Sequence, residues 1–282
     1  MADRLRLLAV FPHPDDETLG LGGTFAKYSA EGVETYLVCA TRGERGWFES
    51  EGPDPGIEAV GHIREAELRC AAEQLGLHEV NFLDYIDGEV DQGNPQEIIT
   101  KLVAHIRRVQ PQVVVTFPPD GTYGHPDHIA LSQFTNAALI CAADATFKDP
   151  GNQASHRVQK FYYMVDNQEI VDLANEAFGG ISMEIDGVMR KHIGWPDWEL
   201  TTQINARPYI ETVHKAVHCH KSQLPGYGLL GVASPEEMAK FFGKGTFYRA
   251  FSLVNGGRKV ETDLFEGLRL KDEGRKRHQT AF

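Results

Sequence analysis

The sequence predicts an α/β protein with a three-layer α/β/α architecture and a mostly parallel sheet. Strand and helix patterns alternate through the first half of the chain, as in proteins whose parallel strands are joined by right-handed crossovers. Apolar runs such as residues 113–117 have the length and β-branched composition of strands that are buried on both faces. A length of 282 residues allows one large domain with a hydrophobic core.

The elements of the first half follow one another as strand–helix pairs. Gly32 and Gly76 end two of the helices, and Pro111 separates another helix from the next strand. The predicted elements are strand 5–11, helix 19–31, strand 33–40, helix 59–75, strand 79–84, helix 95–109, strand 112–117 and helix 127–143.

The pattern weakens after residue 143, and we assign no elements to residues 144–207. A helix is predicted from Pro208 to Ser222 because proline suits a first helical turn, and a strand is predicted from Phe247 to Val254. The charged stretch Arg269–Phe282 predicts a frayed helix or a solvated tail. We therefore expect a Rossmann-like core at 1–143, and a smaller C-terminal part at 144–282 that completes the same domain.

Charge and hydropathy exclude two classes of partner. The net charge of −12 argues against a surface that tracks nucleic-acid phosphates, and no uncharged apolar stretch approaches the roughly 20 residues of a membrane span. The N-terminus leads straight into a strand rather than a signal peptide, so a soluble cytoplasmic protein is predicted. A small-molecule substrate is expected, and a homo-oligomer is compatible with the sequence.

The cysteines carry no metal-binding or redox spacing. Cys39, Cys70, Cys141 and Cys219 are scattered without a CxxC motif. We expect buried free thiols, which suit a reducing compartment.

Two histidine–aspartate clusters each follow a predicted strand. The first is His-Pro-Asp-Asp-Glu at 13–17, and the second is His-Pro-Asp-His at 125–128. Ligands of open α/β sheets bind beyond the carboxyl ends of strands, where clusters distant in sequence can converge. A catalytic zinc keeps three protein ligands of nitrogen or oxygen type, and His13, Asp16 and His128 supply that set.

The remaining members of the clusters suit hydrolysis. Zinc lowers the pKa of its water to roughly 7, and the adjacent carboxylate of Asp15 can take the proton as the water attacks a carbonyl. His125 is predicted to stabilise the developing oxyanion as an imidazolium, with Asp127 as its orienting partner. Tyr123, on a glycine-flanked loop that can move, is placed to donate a hydrogen bond to the same oxygen or to the leaving amine.

These motifs resemble the LmbE/PIG-L family of zinc-dependent N-acetylglucosaminyl deacetylases and related amidases. The resemblance covers residues 5–143 and includes, besides the two clusters, Thr-Arg-Gly-Glu at 41–44, Arg-Glu-x-Glu at 64–67 and Asp-Tyr-Ile-Asp at 84–87. A weaker match is His-Lys-Ser-Gln at 220–223. One departure is Phe11-Pro12 before His13, where family members often carry a small residue.

The resemblance implies roles for individual residues. His13, Asp16 and His128 would bind zinc, Asp15 would be the general base, His125 would stabilise the tetrahedral intermediate and Tyr123 would be the mobile tyrosine. The expected substrate-binding residues are Arg64, Asp87, Glu44 and His220. The expected activity is removal of an N-acyl group, mainly acetyl, from an amino-sugar derivative.

Several alternatives remain open at this point. Relatives on the same fold hydrate unsaturated carboxylic acids, for which Arg42, Arg45 and Arg64 would bind carboxylates. A metal-dependent carbohydrate-binding protein without turnover is disfavoured because it would have no use for Asp15. The same ligand set accepts iron(II), cobalt, nickel or manganese in place of zinc. A dinucleotide loop at residues 20–23 is rejected because these glycines come too late after the strand and have the wrong spacing.

Overall fold

A computed structural model describes residues 4–48, 51–257 and 259–269. Strands and helices alternate as far as residue 143, as predicted, with ends shifted by up to three residues. The strands are β1 (Arg6–Phe11), β2 (Glu34–Thr41), β3 (Glu79–Tyr85), β4 (Val113–Thr116), β5 (Lys160–Met164), β6 (Ser182–Ile185), β7 (Val188–Lys191), β8 (Thr202–Asn205) and β9 (Lys244–Ser252). The α-helices are α1 (Asp16–Ala30), α2 (Ile57–Leu75), α3 (Pro95–Val109), the single turn α4 (Gly121–Gly124), α5 (Pro126–Ala143), α6 (Gln168–Phe178), α7 (Ile210–Val217) and α8 (Pro235–Phe242).

The central sheet has seven strands in the order β3-β2-β1-β4-β5-β9-β8. The first five strands of this order run parallel. At the β5 edge, β9 pairs antiparallel with β5, and β8 pairs antiparallel with β9. Strands β6 and β7 form a separate hairpin. The predicted α/β class with a mostly parallel sheet is confirmed.

Successive residues of the central strands enter two different cores. In β1, Leu7 and Ala9 belong to one buried cluster, whereas Leu8 and Val10 belong to the other. This follows from the two-residue period of a strand, whose side chains alternate between the faces of the sheet. Both faces are covered, which explains why these strands are apolar throughout.

The strand order reverses between β1 and β4, and this position fixes the site. Strand β1 pairs with β2 on one side and with β4 on the other. The helices that follow β1 and β4 cover opposite faces of the sheet, so a crevice opens at the carboxyl ends of the two strands. The predicted clusters at 13–17 and 125–128 lie at this crevice.

Residues beyond 143 contribute β5, β8 and β9 to the central sheet, and the sequence indicated only β9 among them. Strand β5 pairs in parallel with β4. Its first residue, Lys160, is fully buried and forms an ion pair of 2.7 Å with Glu261. The ammonium group also donates to the carbonyl oxygen of Glu266 at 3.0 Å. A charged residue at the start of a strand obscures its apolar pattern, and the partners that make the burial of Lys160 tolerable are distant in sequence.

The predictions for the chain beyond residue 207 are confirmed in part. The predicted helix Pro208–Ser222 divides into a 3₁₀ turn at Arg207–Tyr209, α7 at Ile210–Val217, and a 3₁₀ stretch at Lys221–Val232. The predicted strand 247–254 is β9, which begins three residues earlier. Residues 270–282 of the predicted tail lie outside the described residues.

The expectation of four free thiols is wrong. Cys70 on α2 and Cys219 just after α7 form a disulfide whose Cα atoms are 5.7 Å apart, and Cys39 and Cys141 are free. The sequence separation of 149 residues hides the pairing, which arises only when α7 packs against α2. Among the described residues, no helix is long and apolar enough to cross a bilayer.

Candidate active site

His13, Asp16 and His128 converge where β1 and β4 end. Nδ1 of His13 lies 3.3 Å from Nε2 of His128 and 3.6 Å from Oδ2 of Asp16. Nε2 of His128 lies 3.8 Å from Oδ1 of Asp16. Two imidazole nitrogens and a carboxylate that face one another in this way form a donor set suited to zinc or a similar divalent metal.

The opposite edge of the His13 ring is held by two carboxylates. Its Nε2 lies 3.0 Å from Oδ2 of Asp127 and 3.0 Å from Oδ1 of Asp87. Ionised carboxylates only accept hydrogen bonds, so the ring proton belongs on Nε2, which leaves the lone pair of Nδ1 for a metal. In the metal-free chain, burial alone would lower the pKa of His13, but the hydrogen bonds to Asp127 and Asp87 outweigh it and raise this pKa to about 10, so a metal would have to displace the proton of Nδ1.

The carboxylate of Asp127 contacts His13 rather than His125, which corrects the expected pairing. Its carboxylate also accepts hydrogen bonds from the backbone N–H groups of Gly88, at 2.7 Å, and Val90, at 3.0 Å. The side chain is fully buried. Asp127 therefore joins the loop after β3 to the ring of His13.

The protonation of the other two donors also bears on metal binding. Burial keeps the pKa of His128 well below its ordinary value, so this imidazole is neutral, as a metal ligand must be. Burial raises the pKa of Asp16 to about 8 in the metal-free chain. A bound cation favours the carboxylate form of Asp16, because its positive charge stabilises the negative charge that water cannot solvate at this buried position.

The geometry of His125 corrects the expected imidazolium. Its Nδ1 accepts a hydrogen bond of 3.1 Å from the backbone N–H of Asp127 and so caps α5. A nitrogen that accepts a hydrogen bond carries no proton, so the ring is neutral with its proton on Nε2. Burial and the neighbouring His13 lower the pKa of His125 to about 4, in agreement with this form. A neutral ring still donates from Nε2 to an oxyanion.

Asp15 is fixed beside the metal-binding residues by three contacts. It has a left-handed backbone with φ of 110°, and its N–H donates to Oε2 of Glu17 at 2.9 Å. Its Oδ2 accepts a hydrogen bond of 3.0 Å from the hydroxyl of Tyr227 and lies 3.3 Å from Nη2 of Arg64. A non-glycine residue in this conformation is strained and persists only where its surroundings impose it.

Arg64 therefore acts as a positioning group. It is buried, and it donates to the carbonyl oxygens of Gly43, at 2.9 Å, and Pro14, at 2.5 Å. Through these two hydrogen bonds the guanidinium connects the loop after β1 to the loop after β2. A sugar-binding role for Arg64 stays a prediction.

Tyr227 is a site residue that the sequence analysis missed. It lies in the 3₁₀ stretch 221–232, more than 200 residues from Asp15. The only signal was its position four residues after the weak motif 220–223. Burial and the charge of Asp15 keep its pKa well above the ordinary value, so the hydroxyl retains the proton that it donates.

His220, one of the expected substrate-binding residues, is fully buried and does not line the cavity. Its Nε2 lies 2.9 Å from Oε1 of Glu17 and 3.2 Å from Oγ1 of Thr18. Burial disfavours both the positive charge of His220 and the negative charge of Glu17. Their mutual attraction and hydrogen bond outweigh this effect, so the pKa of His220 is raised and that of Glu17 is lowered. Because Glu17 also accepts a hydrogen bond from the backbone N–H of Asp15, His220 is linked to Asp15 through Glu17.

Glu44 and Asp87, which are also predicted to bind substrate, connect neighbouring loops through hydrogen bonds. Oε2 of Glu44 accepts from the backbone N–H groups of Arg42, at 3.2 Å, and Asp87, at 3.1 Å. Oδ2 of Asp87 accepts from the backbone N–H of Arg45 at 3.3 Å, while its other oxygen contacts His13. Substrate binding by either carboxylate stays a prediction.

Tyr123 lies over the histidines on the turn α4. Its ring centroid is 5.2 Å from that of His128 and 6.0 Å from that of His125. The preceding residue, Thr122, has a φ of 69°, a strained value for a β-branched residue. The β6–β7 hairpin covers this turn, and Nη1 of Arg190 reaches the carbonyl oxygen of Gly124 at 3.4 Å.

A cavity of about 560 Å³ opens at this cluster. Its catalytic end is lined by Asp15, Asp16, Tyr123 and His128, and it extends along the glycine-rich start of α1. A Cβ atom on Gly23 would lie 2.5 Å from Cβ of Ala206, which is too close. Gly23 therefore permits close packing of α1 against the segment that follows β8.

The sequence resembles known proteins over most of its length. Residues 8–139 match the PIG-L family, described as GlcNAc-PI de-N-acetylase. A 1D-myo-inositol 2-acetamido-2-deoxy-alpha-D-glucopyranoside deacetylase of Thermobispora bispora is 32% identical over 95% of this chain and 100% of its own.

Solved structures share the fold. A conserved protein of Thermus thermophilus superposes with a TM-score of 0.64 at 25% identity, over 89% of this chain and 97% of its own. The 4-carboxy-2-hydroxymuconate hydratase of Pseudomonas putida superposes with a TM-score of 0.63 at 18% identity, over 90% of this chain and 99% of its own. At that identity the hydratase shows the fold alone. The level of sequence identity to the deacetylase, over nearly the whole of both chains, establishes that this protein belongs to the PIG-L (LmbE) family.

Proposed function

We propose that this protein is a metal-dependent hydrolase that removes the N-acetyl group of an amino-sugar conjugate. The observation that carries the proposal is the placement of Asp15 next to a donor set of two histidines and one aspartate, at the mouth of a cavity. The deacetylase relative supports a 2-acetamido-2-deoxyglucopyranoside as the sugar.

His13, Asp16 and His128 would hold the metal, and we propose zinc. When bound there, the ion supplies a Lewis acid that polarises the amide carbonyl and makes water more acidic. The chain does the rest of the chemistry. Asp15 accepts the proton of the attacking water and returns it to the leaving nitrogen, so that the C–N bond breaks and acetate and a free amine are formed.

Three residues assist this transfer. His125 donates from Nε2 to the oxygen that becomes negatively charged, and Tyr123 donates to the same oxygen or to the leaving amine. Asp127 keeps Nδ1 of His13 directed at the metal.

The alternative, hydration of an unsaturated carboxylic acid, requires cations free to bind carboxylates. Arg42 pairs with Glu65 at 2.5 Å and with Asp84 at 2.6 Å, and Arg45 pairs with Glu89. The third candidate, Arg64, is engaged by Asp15 and two carbonyl oxygens. All three arginines are thus bound to protein groups, which favours the deacetylase.

A substrate panel tests the proposal. Zinc-loaded and chelator-treated protein is incubated with N-acetylglucosaminides, including the inositol conjugate, and with unsaturated dicarboxylates. We expect acetate and primary amine in equal amounts from an N-acetylglucosaminide, only when metal is present. Water addition to a dicarboxylate without amine release from any glucosaminide would contradict the proposal and support the hydratase.

We also propose that residues 1–143 form the catalytic core and that residues 144–282 complete the domain and its pocket. The location is proposed to be cytoplasmic. In a reducing cytoplasm the Cys70–Cys219 bond should be open. Thiol labelling at the moment of cell lysis tests this, since protection of both cysteines from the reagent would contradict a cytoplasmic location.

A further inference from the structure

Asp15 is the N-cap residue of α1, but its side chain does not cap the helix. An aspartate at this position ordinarily accepts a hydrogen bond from a backbone N–H group of the first helical turn, which would occupy the carboxylate. Here the backbone is left-handed, with φ of 110°, and the carboxylate contacts Tyr227 and Arg64 instead. The backbone conformation of Asp15 therefore keeps its carboxylate available at the candidate active site.

The left-handed conformation is strained for an aspartate, so a neighbouring group has to stabilise it. That group is the side chain of Glu17, whose Oε2 accepts a hydrogen bond of 2.9 Å from the backbone N–H of Asp15. The other oxygen, Oε1, lies 2.9 Å from Nε2 of His220 and accepts a hydrogen bond from the hydroxyl of Thr18. The two oxygens of one carboxylate thus connect the backbone of Asp15 to a histidine that lies 203 residues after Glu17 in sequence.

Glu17 and His220 are both fully buried. A buried carboxylate is tolerated only with a partner, so the position of Glu17 depends on a donor that the fold holds in place. Within the part of the chain that the structure describes, the other ring nitrogen of His220, Nδ1, has no hydrogen-bond partner. The side-chain hydrogen bonds of His220 are therefore directed at Glu17 and Thr18 alone.

The segment that carries His220 is fastened to the molecule by other contacts. Ser222 donates from its backbone N–H and from its hydroxyl to the carboxylate of Glu67 on α2, each at 2.7 Å. The side-chain amide of Gln223 donates to the carbonyl oxygen of Gly46 at 2.8 Å. Ser222 and Gln223 are both buried. The position of His220 is thus fixed by α2 and by the loop after β2.

We propose that Glu17 and His220 are positioning residues for the base. His220 fixes the carboxylate of Glu17, and Glu17 fixes Asp15 in the conformation that directs its carboxylate to the reacting water rather than to the end of α1. This inference rests on the proposed deacetylase function, in which Asp15 is the base. Neither Glu17 nor His220 lines the cavity, so both act through Asp15 and not on the substrate.

A matched pair of substitutions at residue 220 tests the proposal. The amide nitrogen of glutamine can take the place of Nε2 of histidine, whereas that of asparagine is one carbon shorter and corresponds to Nδ1. His220→Gln should therefore keep a hydrogen bond to Glu17, and His220→Asn should lose it. With the methyl glycoside of N-acetylglucosamine, we expect His220→Asn to lower kcat roughly 100-fold with KM nearly constant, as for a reacting group misplaced by about 1 Å. His220→Gln should stay within about 5-fold of the wild-type kcat, because a neutral donor bonds a carboxylate less strongly than an imidazolium does.

His218→Asn is the control for this pair. His218 is half-buried in the same segment, and its Nδ1 contacts the carbonyl oxygen of His214 rather than Glu17, so this variant should keep the wild-type kcat. The zinc content and Tm of each variant are determined, and kcat is compared at equal zinc content and at a temperature where all variants are folded. Equal kcat values for His220→Asn and His220→Gln, or a change confined to KM, would overturn the proposal.

A second measurement separates failure of the positioning from failure of the proposed function, because it requires neither turnover nor metal. NMR of metal-free protein labelled with 15N-aspartate follows the amide proton of Asp15, whose signal is identified by its absence in Asp15→Asn. We expect this proton to exchange with solvent at least about 10-fold faster in His220→Asn than in His220→Gln, since its hydrogen bond to Glu17 is weakened. That result supports the positioning role even if no glycoside is hydrolysed. Equal exchange rates in the two variants would overturn it, and so would an Asp15 amide that is unprotected in wild type, a result that needs no variant to fold.

Discussion

The two ends of the cavity are built in different ways. The end that we propose to be catalytic takes its metal-binding residues and base from two short motifs, on the connections that follow the adjacent strands β1 and β4. The far end collects single residues from α1, β5, α6, α8 and the connections between β5 and α6 and between β7 and β8, namely Leu19, Met164, Ile170, Phe242, Asp166 and His192. The first end carries the reacting groups of the proposed mechanism, whereas the second presents a mostly apolar surface that no short motif supplies.

This difference predicts unequal consequences of substitution, of which loss of a metal-binding residue should be the largest. His128→Ala removes one of the three metal-binding residues, so we expect little bound zinc and a fall in deacetylation of more than about 10³-fold, since metal chemistry is worth several kcal/mol. Metal analysis and acetate release measure both effects. His62→Ala, at an exposed histidine, is the control. Full activity in His128→Ala would refute the assignment.

Asp127→Asn should have the next largest effect. The amide keeps one acceptor oxygen where the carboxylate serves His13, Gly88 and Val90. We expect zinc affinity to weaken by roughly 10- to 100-fold, as for other groups that orient a metal-binding histidine. Competition with a chelator measures the affinity, and Asp91→Asn, at an exposed position, should match wild type. An unchanged affinity would mean that Asp87 alone orients His13.

Tyr227→Phe should have a smaller effect that falls on kcat. The hydroxyl donates to Asp15, which keeps its contact with Arg64. We expect kcat to fall by about 3- to 10-fold with KM nearly constant, because one of two supports of the carboxylate is lost. Tyr209→Phe, at a tyrosine packed outside the site, is the control. A change confined to KM would show that Tyr227 binds substrate instead.

Opening the disulfide should affect stability more than activity. Cys70→Ser removes the disulfide, which joins residues 149 positions apart in sequence, and we expect Tm to fall by roughly 5–10 °C. Activity at 25 °C should change by less than about 2-fold, since neither cysteine lines the cavity. Calorimetry compares the variant with Cys141→Ser, which alters a free thiol. Equal Tm values would show that the bond contributes nothing.

The same contrast explains how much of the molecule the sequence predicts. The residues of the catalytic end are neighbours in sequence, and strand-end chemistry brings the two motifs together, so the grouping of His13, Asp16 and His128 was predictable. The alternation of strands and helices was equally visible, because their apolar periods are local.

The contacts that sequence analysis missed are long-range ones. Tyr227 reaches Asp15, Cys70 pairs with Cys219, and the buried charge of Lys160 is balanced by Glu261 across 101 residues. No local period or spacing encodes these pairs. The neutral form of His125 was missed for a related reason, since it depends on a backbone N–H that only the start of α5 presents.

The central claim is that Asp15 and a metal act together in N-deacetylation. The most direct measurement is primary-amine release from the methyl glycoside of N-acetylglucosamine by wild type and Asp15→Asn, each with its zinc content determined. The account predicts that the variant binds zinc as wild type does and loses about 10²- to 10⁴-fold in kcat, the usual contribution of a general base. Equal rates at equal zinc content would contradict it.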